Sequence, residues 1–380
     1  MARRWYPFAA GNDDLTPYDV PHDPNFTQYY VTLKTDDVQL HLQDQWRVTP
    51  DLLLQAGIKS SLQRAGNNVV TQQLNLPTTN PPVVFPTGSI TSNNWFLPQA
   101  GAVWDATGNE QLFANIQKNM RQFIPYAAGS NFYGASPWSL GSQAAFNTFA
   151  STAHPETSWT YEAGARTNHD VDLGPLTSVQ AQLSYYHVNF SNRLLNVAAY
   201  NFINPNPSVL VNVGGVTTNG VDLAGTLNFG DHFHFYDAVS YNTSTYDSNY
   251  TTATGTNGTS TVDTAGKQVP LTPDWLEKFI LSTNFGPIEA QFNGDYIGPR
   301  FVTYLNDMQV APTFVMGLEA SYTVAVPAGN FVNSFKFSAN VTNIGNEKGI
   351  STAVVTGASG GYQAYPLPPR MWFVTLEAGL

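Results

Sequence analysis

One pattern dominates this chain: large apolar residues fall on every second position, in segment after segment. In VQLHLQDQWRV, Val38, Leu40, Leu42, Trp46 and Val48 alternate with Gln39, His41, Gln43, Gln45 and Arg47, broken only at Asp44. Successive side chains of a β-strand point to opposite faces, so this is a strand with one apolar and one polar side. After VTPD the pattern resumes, with Leu52, Leu54, Ala56 and Ile58 on one face and Gln55, Gly57, Lys59 and Ser61 on the other, which predicts a β-hairpin. The same alternation recurs at 112–120, 159–165, 179–185, 221–229, 279–285, 288–296, 314–326, 335–341 and 372–380, and more weakly at 100–104 and 233–239. That makes about thirteen strands, many near the roughly ten residues that cross a bilayer at a tilt, and no helical period is expected.

The connections alternate in length. Tight turns are expected at 48–51, 106–110, 172–175, 229–232, 285–288 and 326–330, whereas the intervening connections at 65–95, 125–155, 197–211, 248–270 and 344–368 are long, with only 306–311 short. Short turns on one side and long loops on the other describe an antiparallel transmembrane β-barrel, short side periplasmic. In a soluble sandwich the same alternation would put the apolar face in a core, but structureless loops of about 20 residues are uncommon in compact domains. The expected fold is therefore all-β: a membrane barrel with lipid on the apolar face and an aqueous interior on the polar one.

Composition narrows the function. Charged residues make up 11% of the chain, against the roughly 25% usual in soluble domains. Uncharged polar residues fill the gap, and no window reaches the about 18 apolar residues of a membrane helix. A net charge of −11 with 16 scattered Lys and Arg excludes nucleic acid as a partner. Without cysteine, thiol catalysis and Cys-based zinc sites are excluded. MARRWYPFAAGNDD has two arginines but no apolar stretch behind them, so it reads as neither a signal peptide nor a twin-arginine signal.

No catalytic constellation stands out, and no cofactor is expected. His232 and His234 have the spacing of two ligands on one strand face, but beside a tight turn and without a suitable Asp or Glu they read as an interfacial pair, so no metal site is assigned. GASGG at 357–361 lacks the spacing of a nucleophile elbow. Glu162, Asp222, Glu289, Asp295, Glu319 and Glu377 fall on polar faces, as wall residues of an aqueous interior. Trp46, Trp104, Phe229 and Phe285 sit beside the tight turns and are candidate membrane-girdle residues. The long segment YAAGSNFYGASPW offers Tyr126, Phe132, Tyr133 and Trp138 amid Gly, Ser and Asn, a composition suited to binding a small-molecule ligand.

Several segments resemble the TonB-dependent receptors of Gram-negative outer membranes. LHLQDQWRVTPDLLLQAGIKS is similar to their recurring strand–turn–strand unit, and PETSWTYEAGARTN, LSYYHVNFSNRLL and NVGGVTTNGVDLAGTLNF resemble three further consecutive segments. FSANVTNIGNEKGIST followed by PPRMWFVTLEAGL resembles the final hairpin and closing strand. The resemblance covers residues 35–380 and implies a 22-stranded barrel plugged by an N-terminal domain, taking up a scarce ligand such as a siderophore or glycan with energy transmitted by TonB. It also implies Trp372, Val374, Leu376 and Leu380 as a signal for the barrel-assembly machinery, although the family usually ends in an aromatic residue, most often Phe, where Leu380 stands. No plug or TonB box is legible here, so the expectation is the C-terminal part of such a barrel, with 1–34 the remnant of an extracellular loop, TonB engaged only through the part not present, and no function alone. The expected location is the outer membrane, in contact with its lipid. The competing readings are a complete porin of 12 to 14 strands, an outer-membrane phospholipase or protease, and a soluble β-rich binding protein.

Overall fold

The computed structural model describes residues 28–72, 87–123, 143–197, 200–201, 204–205, 209–212, 214–254, 258–327, 331–355 and 362–379. Its main feature is one 13-stranded sheet in which every strand pairs with its neighbour in sequence. We number these strands β1 (Gln28–Thr49), β2 (Leu52–Gln72), β3 (Gly88–Asp105), β4 (Glu110–Arg121), β5 (Glu156–Leu173), β6 (Leu176–Ser191), β7 (Val216–Phe229), β8 (Phe233–Tyr246), β9 (Trp275–Phe285), β10 (Ile288–Ile297), β11 (Thr313–Ala325), β12 (Ser334–Thr342) and β13 (Met371–Gly379). All the pairings are antiparallel. The thirteen alternating segments fall on these strands, with Val326 one residue past the end of β11 and Leu380 outside the described residues. β1 begins at Gln28, so the wall starts earlier than the expected position 35.

The turns follow from local chemistry. Gly174-Pro175 and Gly286-Pro287 each close a two-residue hairpin, with the glycines at φ of 65° and 58°. A positive φ at the first central residue is what such a turn needs, and it favours glycine there. At the β1–β2 turn, Thr49 Oγ1 accepts the amide of Leu52 at 3.1 Å and the Arg47 guanidinium donates to the Pro50 carbonyl at 2.7 Å.

Register converts alternation into two faces. One ladder across β4 to β8 reads Leu112, Ala165, Leu183, Leu223, Val239, and Leu112, Leu183 and Leu223 are 43%, 50% and 50% exposed. A sheet that leaves its aliphatic face bare has no second layer on that side, as a lipid-facing wall requires. On the other face Gln111, Arg166 and Gln182 are cross-strand partners, as are Asn115, Glu162 and Tyr186. All six acidic wall residues named from the sequence fall on this polar face, by the same registers.

Asp237 breaks the apolar face. It stands opposite Gly225 and Phe279, and its Oδ1 is buried with no hydrogen-bond partner among the described residues. An unsatisfied buried oxygen costs about 1–3 kcal/mol, so Asp237→Leu should stabilise the wall by about 1–2 kcal/mol, read as a higher urea midpoint in lipid vesicles.

One element departs from the all-strand expectation. In the connection between β4 and β5 lies a helix, α1 (Gln143–Thr152). Phe146, Phe149 and Ala150 form its apolar stripe, continued by Ala153 just past its end, and Phe146 is buried against Ala65, Ile90 and Phe123. The stripe spans little more than two turns, too short to show a period against the surrounding polar loop. Gln143 anchors the helix start by donating to the Thr87 carbonyl and accepting its amide, both at 2.8 Å.

Both outermost strands have a free edge among the described residues. In β1 every described side chain from Lys34 to Thr49 is exposed, and in β13 Trp372, Val374 and Leu376 are 72%, 85% and 61% exposed. Because the sheet has an odd number of strands, β1 and β13 run in the same direction, both toward the tight-turn side.

Candidate functional site at the loop side of the barrel

The loop-side end of the polar face carries a cluster of tyrosines. Tyr246 ends β8 and is 1% exposed, and across the ladders it meets Val216, which in turn pairs with Phe190. Tyr250 and Tyr304, from the next two connections, close over it with the Tyr304 ring edge-on at 6.4 Å from Tyr246 and 6.0 Å from Tyr250. Val262 and Val269 complete this core, which ties the connection after β8 to that after β10. A second core of Val302, Val310 and Ala353, flanked by Leu271, Ile350 and Tyr362, extends it to the connection after β12.

Charge lies beside the tyrosines. Glu156, its side chain 8% exposed, stands between Arg121 Nη1 and Arg193 Nη1, each at 3.8 Å. The Arg193 guanidinium sits 4.5 Å from the Phe190 ring centroid. Arg300 is 4% exposed; its Nη2 donates to the Ile350 carbonyl at 2.9 Å, while Nη1 has no partner among the described residues. Burial lowers the pKa of this guanidinium. The hydroxyls of Tyr246 and Tyr250 are likewise buried without a described partner. Two phenols and a guanidinium thus hold buried donors without a described partner in the loop cores at this end of the polar face.

Burial pushes the Tyr250 phenol up to about 12 and raises that of Tyr304 as well. Folded values above the unfolded value of about 10 mean that the contribution to stability is complete below pH 10 and is lost as pH rises through about 12. The loop cores should therefore loosen between those limits while the strands persist. Tyrosinate absorbance rising together with protease cleavage in 248–312 checks this.

Nearer the turns, the polar wall is rich in amides. Gln99 donates to Gln43 at 3.1 Å, Gln43 lies 3.5 Å from Gln55, and Asn115 donates to Glu162 at 2.8 Å. At the turn-side end a concavity of 820 Å³ is lined by residues including Asp51, Asp105, Arg166, Gln182 and Tyr236.

The positions singled out from the sequence divide. Trp46, Trp104, Phe229 and Phe285 fall on one belt beside the turns on the apolar face; Trp46 and Trp104 are 62% and 49% exposed, and Phe285 meets Phe233 edge-on at 5.3 Å. Trp372, Val374 and Leu376 lie along the outer face of β13, whereas Leu380 lies outside the described residues. Tyr126, Phe132, Tyr133 and Trp138 also lie outside them. His232 stacks on Phe285 at 4.6 Å and donates to the Asn284 carbonyl at 2.7 Å, while His234 bonds Asn228. Among the described residues no three His, Asp or Glu side chains group as metal ligands. The tyrosine cluster was missed, because Tyr304 lies more than fifty residues from Tyr246 and Tyr250 and only the fold brings it to them.

An antiparallel wall with one polar face, one bare apolar face and long connections at one end defines a transmembrane β-barrel. The chain belongs to the family described as TonB dependent receptor-like, beta-barrel, whose pattern matches residues 2–344. Among solved structures it is similar to the siderophore receptor PiuA from Acinetobacter baumannii, at 14% identity and a TM-score of 0.66 over 91% of this chain and 43% of that one. It also resembles the ferric yersiniabactin uptake receptor FyuA from Yersinia pestis (14% identity, TM-score 0.59, 92% and 46% covered) and the copper transporter OprC (17%, 0.61, 90% and 49%). The chain spans less than half the length of these receptors. No curated protein matches it.

Proposed function

We propose that this chain forms part of the wall of an outer-membrane receptor that takes up a scarce small solute, with transport energised by TonB through a part of the receptor outside these 380 residues. The observation that supports the reading is the polar interior face of the sheet, which ends on the loop side in the partly exposed Arg193 beside the buried Tyr246, Tyr250 and Tyr304. The solved structures it resembles include a siderophore receptor, a ferric yersiniabactin uptake receptor and a copper transporter, so a metal ion or its chelate is the solute class we favour. Tyr126, Phe132, Tyr133 and Trp138 are proposed as further ligand contacts on their composition alone.

The free edges support the view that further strands close the barrel. In hydrocarbon every unpaired backbone group costs several kcal/mol, and closing β1 directly on β13 would pair two strands of the same direction. That weighs against a complete antiparallel porin and against function alone. The turn-side belt of Trp46, Trp104, Phe229 and Phe285 would mark the inner membrane interface, and Trp372, Val374, Leu376 and Leu380 the strand that assembly machinery reads.

The test is saturable binding to the receptor isolated from outer membranes, across ferric chelates, glycans and copper salts. We expect one class to bind, and Tyr304→Ala with Arg193→Ala to weaken it at least about tenfold. Open-channel conductance from the 380 residues alone, with no saturable ligand, would overturn the reading in favour of a porin.

A further inference from the structure

On the polar face of β1 to β5, amides and glycines alternate across two consecutive ladders. One runs through Gln43, Gly57, Gln99 and Gln117, the next through Gln55, Gly101, Asn115 and Glu162. The glycines make room for the amides. A Cβ at Gly57 would stand 2.9 Å from Gln99 Nε2, and one at Gly101 would stand 2.7 Å from Gln55 Nε2, so both amide heads lie over bare backbone. Beside them a cavity of 310 Å³ opens on the interior, at the small end of the range of about 300–1,000 Å³ usual for ligand pockets. Its polar lining is Gln43, Gln55, Gln99, Asn115, Gln117 and Glu162.

These groups hold one another in place and keep capacity free. Gln99 Nε2 donates to Gln43 and lies 3.3 Å from His41 Nε2, and Asn115 Nδ2 donates to Glu162 Oε2. Gln99 Oε1, Gln55 Nε2, Asn115 Oδ1, Glu162 Oε1 and the Gln117 amide enter no hydrogen bond among the described residues. Among the described residues lining the cavity none is Lys or Arg, and Glu162 is the one ionisable group. An anion therefore meets no counter-charge there, and a divalent cation meets a single carboxylate. Donors and acceptors set side by side match neighbouring hydroxyl groups, each of which also donates and accepts. Tyr186, the partner of Glu162 on β6, lays its ring across Gly220 and gives the C–H groups of a sugar ring an apolar surface.

We propose that this cavity binds an uncharged polyhydroxylated group, a sugar ring or its equivalent, on the interior wall between the loop cores and the tight turns. Gln55 donates to its hydroxyls, and Gln99 and Glu162 accept from them. The group belongs either to a free saccharide or to the transported solute, and the second source rests on the receptor reading.

The test titrates glucose and maltotriose, with glucuronate for comparison, into the whole receptor isolated from outer membranes, followed by calorimetry. Both neutral sugars should bind saturably, and glucuronate at least about tenfold more weakly. Gln55→Leu with Gln99→Leu should weaken glucose at least about tenfold. Gly101→Ala, whose Cβ displaces the Gln55 amide, should weaken it at least about threefold. Gln291→Leu, which removes an amide from the same polar face on β10 outside this cavity, should leave it within about twofold. If free sugars fail to bind but a transported solute binds, the same variants should weaken that solute by the same factors, which assigns the group to the solute. No binding of either, binding indifferent to the Gln55, Gln99 and Gly101 substitutions, or glucuronate held as well as glucose would overturn the proposal and leave the receptor reading standing. Glucose bound through these residues by a protein that takes up no solute would remove that reading and keep the cavity's role.

Discussion

Leu223→Lys should cost about 2–4 kcal/mol of barrel stability, whereas Asp222→Lys, one position away, should cost under about 1 kcal/mol. Leu223 lies at the middle of β7, half exposed on the apolar face and flanked across the ladders by Leu183 and Val239. A lysine there would place an ammonium near the bilayer midplane with no partner on either neighbour. Asp222 points to the polar interior, between Ser184 and Ser240, where a lysine reaches water. Urea titrations in lipid vesicles give both values. Equal costs would mean that the apolar face does not meet hydrocarbon.

Glu156→Ala should be the most damaging change at the loop side, costing about 2–3 kcal/mol. The carboxylate is 6% exposed overall, and its loss leaves the guanidinium groups of Arg121 and Arg193 facing one another without their shared counter-charge. The cost falls below that of a fully buried pair because Arg121 is half exposed and screened by water. Glu156→Gln, which keeps the shape and an acceptor, should lose less. Since Arg193 packs on Phe190 beside the tyrosine cluster, the Ala variant should also open the 248–312 loops to protease.

The wall was legible because a lipid-facing strand obeys one strong rule, polar and apolar by turns, that needs no distant partner. The segments around Leu40, Leu183 and Leu318 each declare their outward face locally, and Gly-Pro pairs at 174–175 and 286–287 mark their own turns. What depends on contacts between loops was not legible. Tyr246 and Tyr304 read as two more aromatics in a chain with 19 tyrosines, and only folding brings their rings to 6.4 Å. Helix α1 escaped for a similar reason, since its stripe acquires meaning from Ile90 and Phe123, far apart in sequence. The loop-side aromatic belt of Tyr161, Tyr185, Tyr241 and Trp275 was also missed. Those residues mark no turn, and only the register places them in neighbouring rows.

The chain contains no cysteine, so single cysteines can carry a probe to chosen positions. Labels at residues 183, 223 and 318, replacing Leu183, Leu223 and Leu318, and at 182, 222 and 319, replacing Gln182, Asp222 and Glu319, sample the two faces of β6, β7 and β11. In outer membranes a lipid-soluble quencher should reach the first three, and a water-soluble quencher the second three. Water-phase quenching of both sets alike, or lipid-phase quenching of 182, 222 and 319, would contradict a membrane wall with a polar interior.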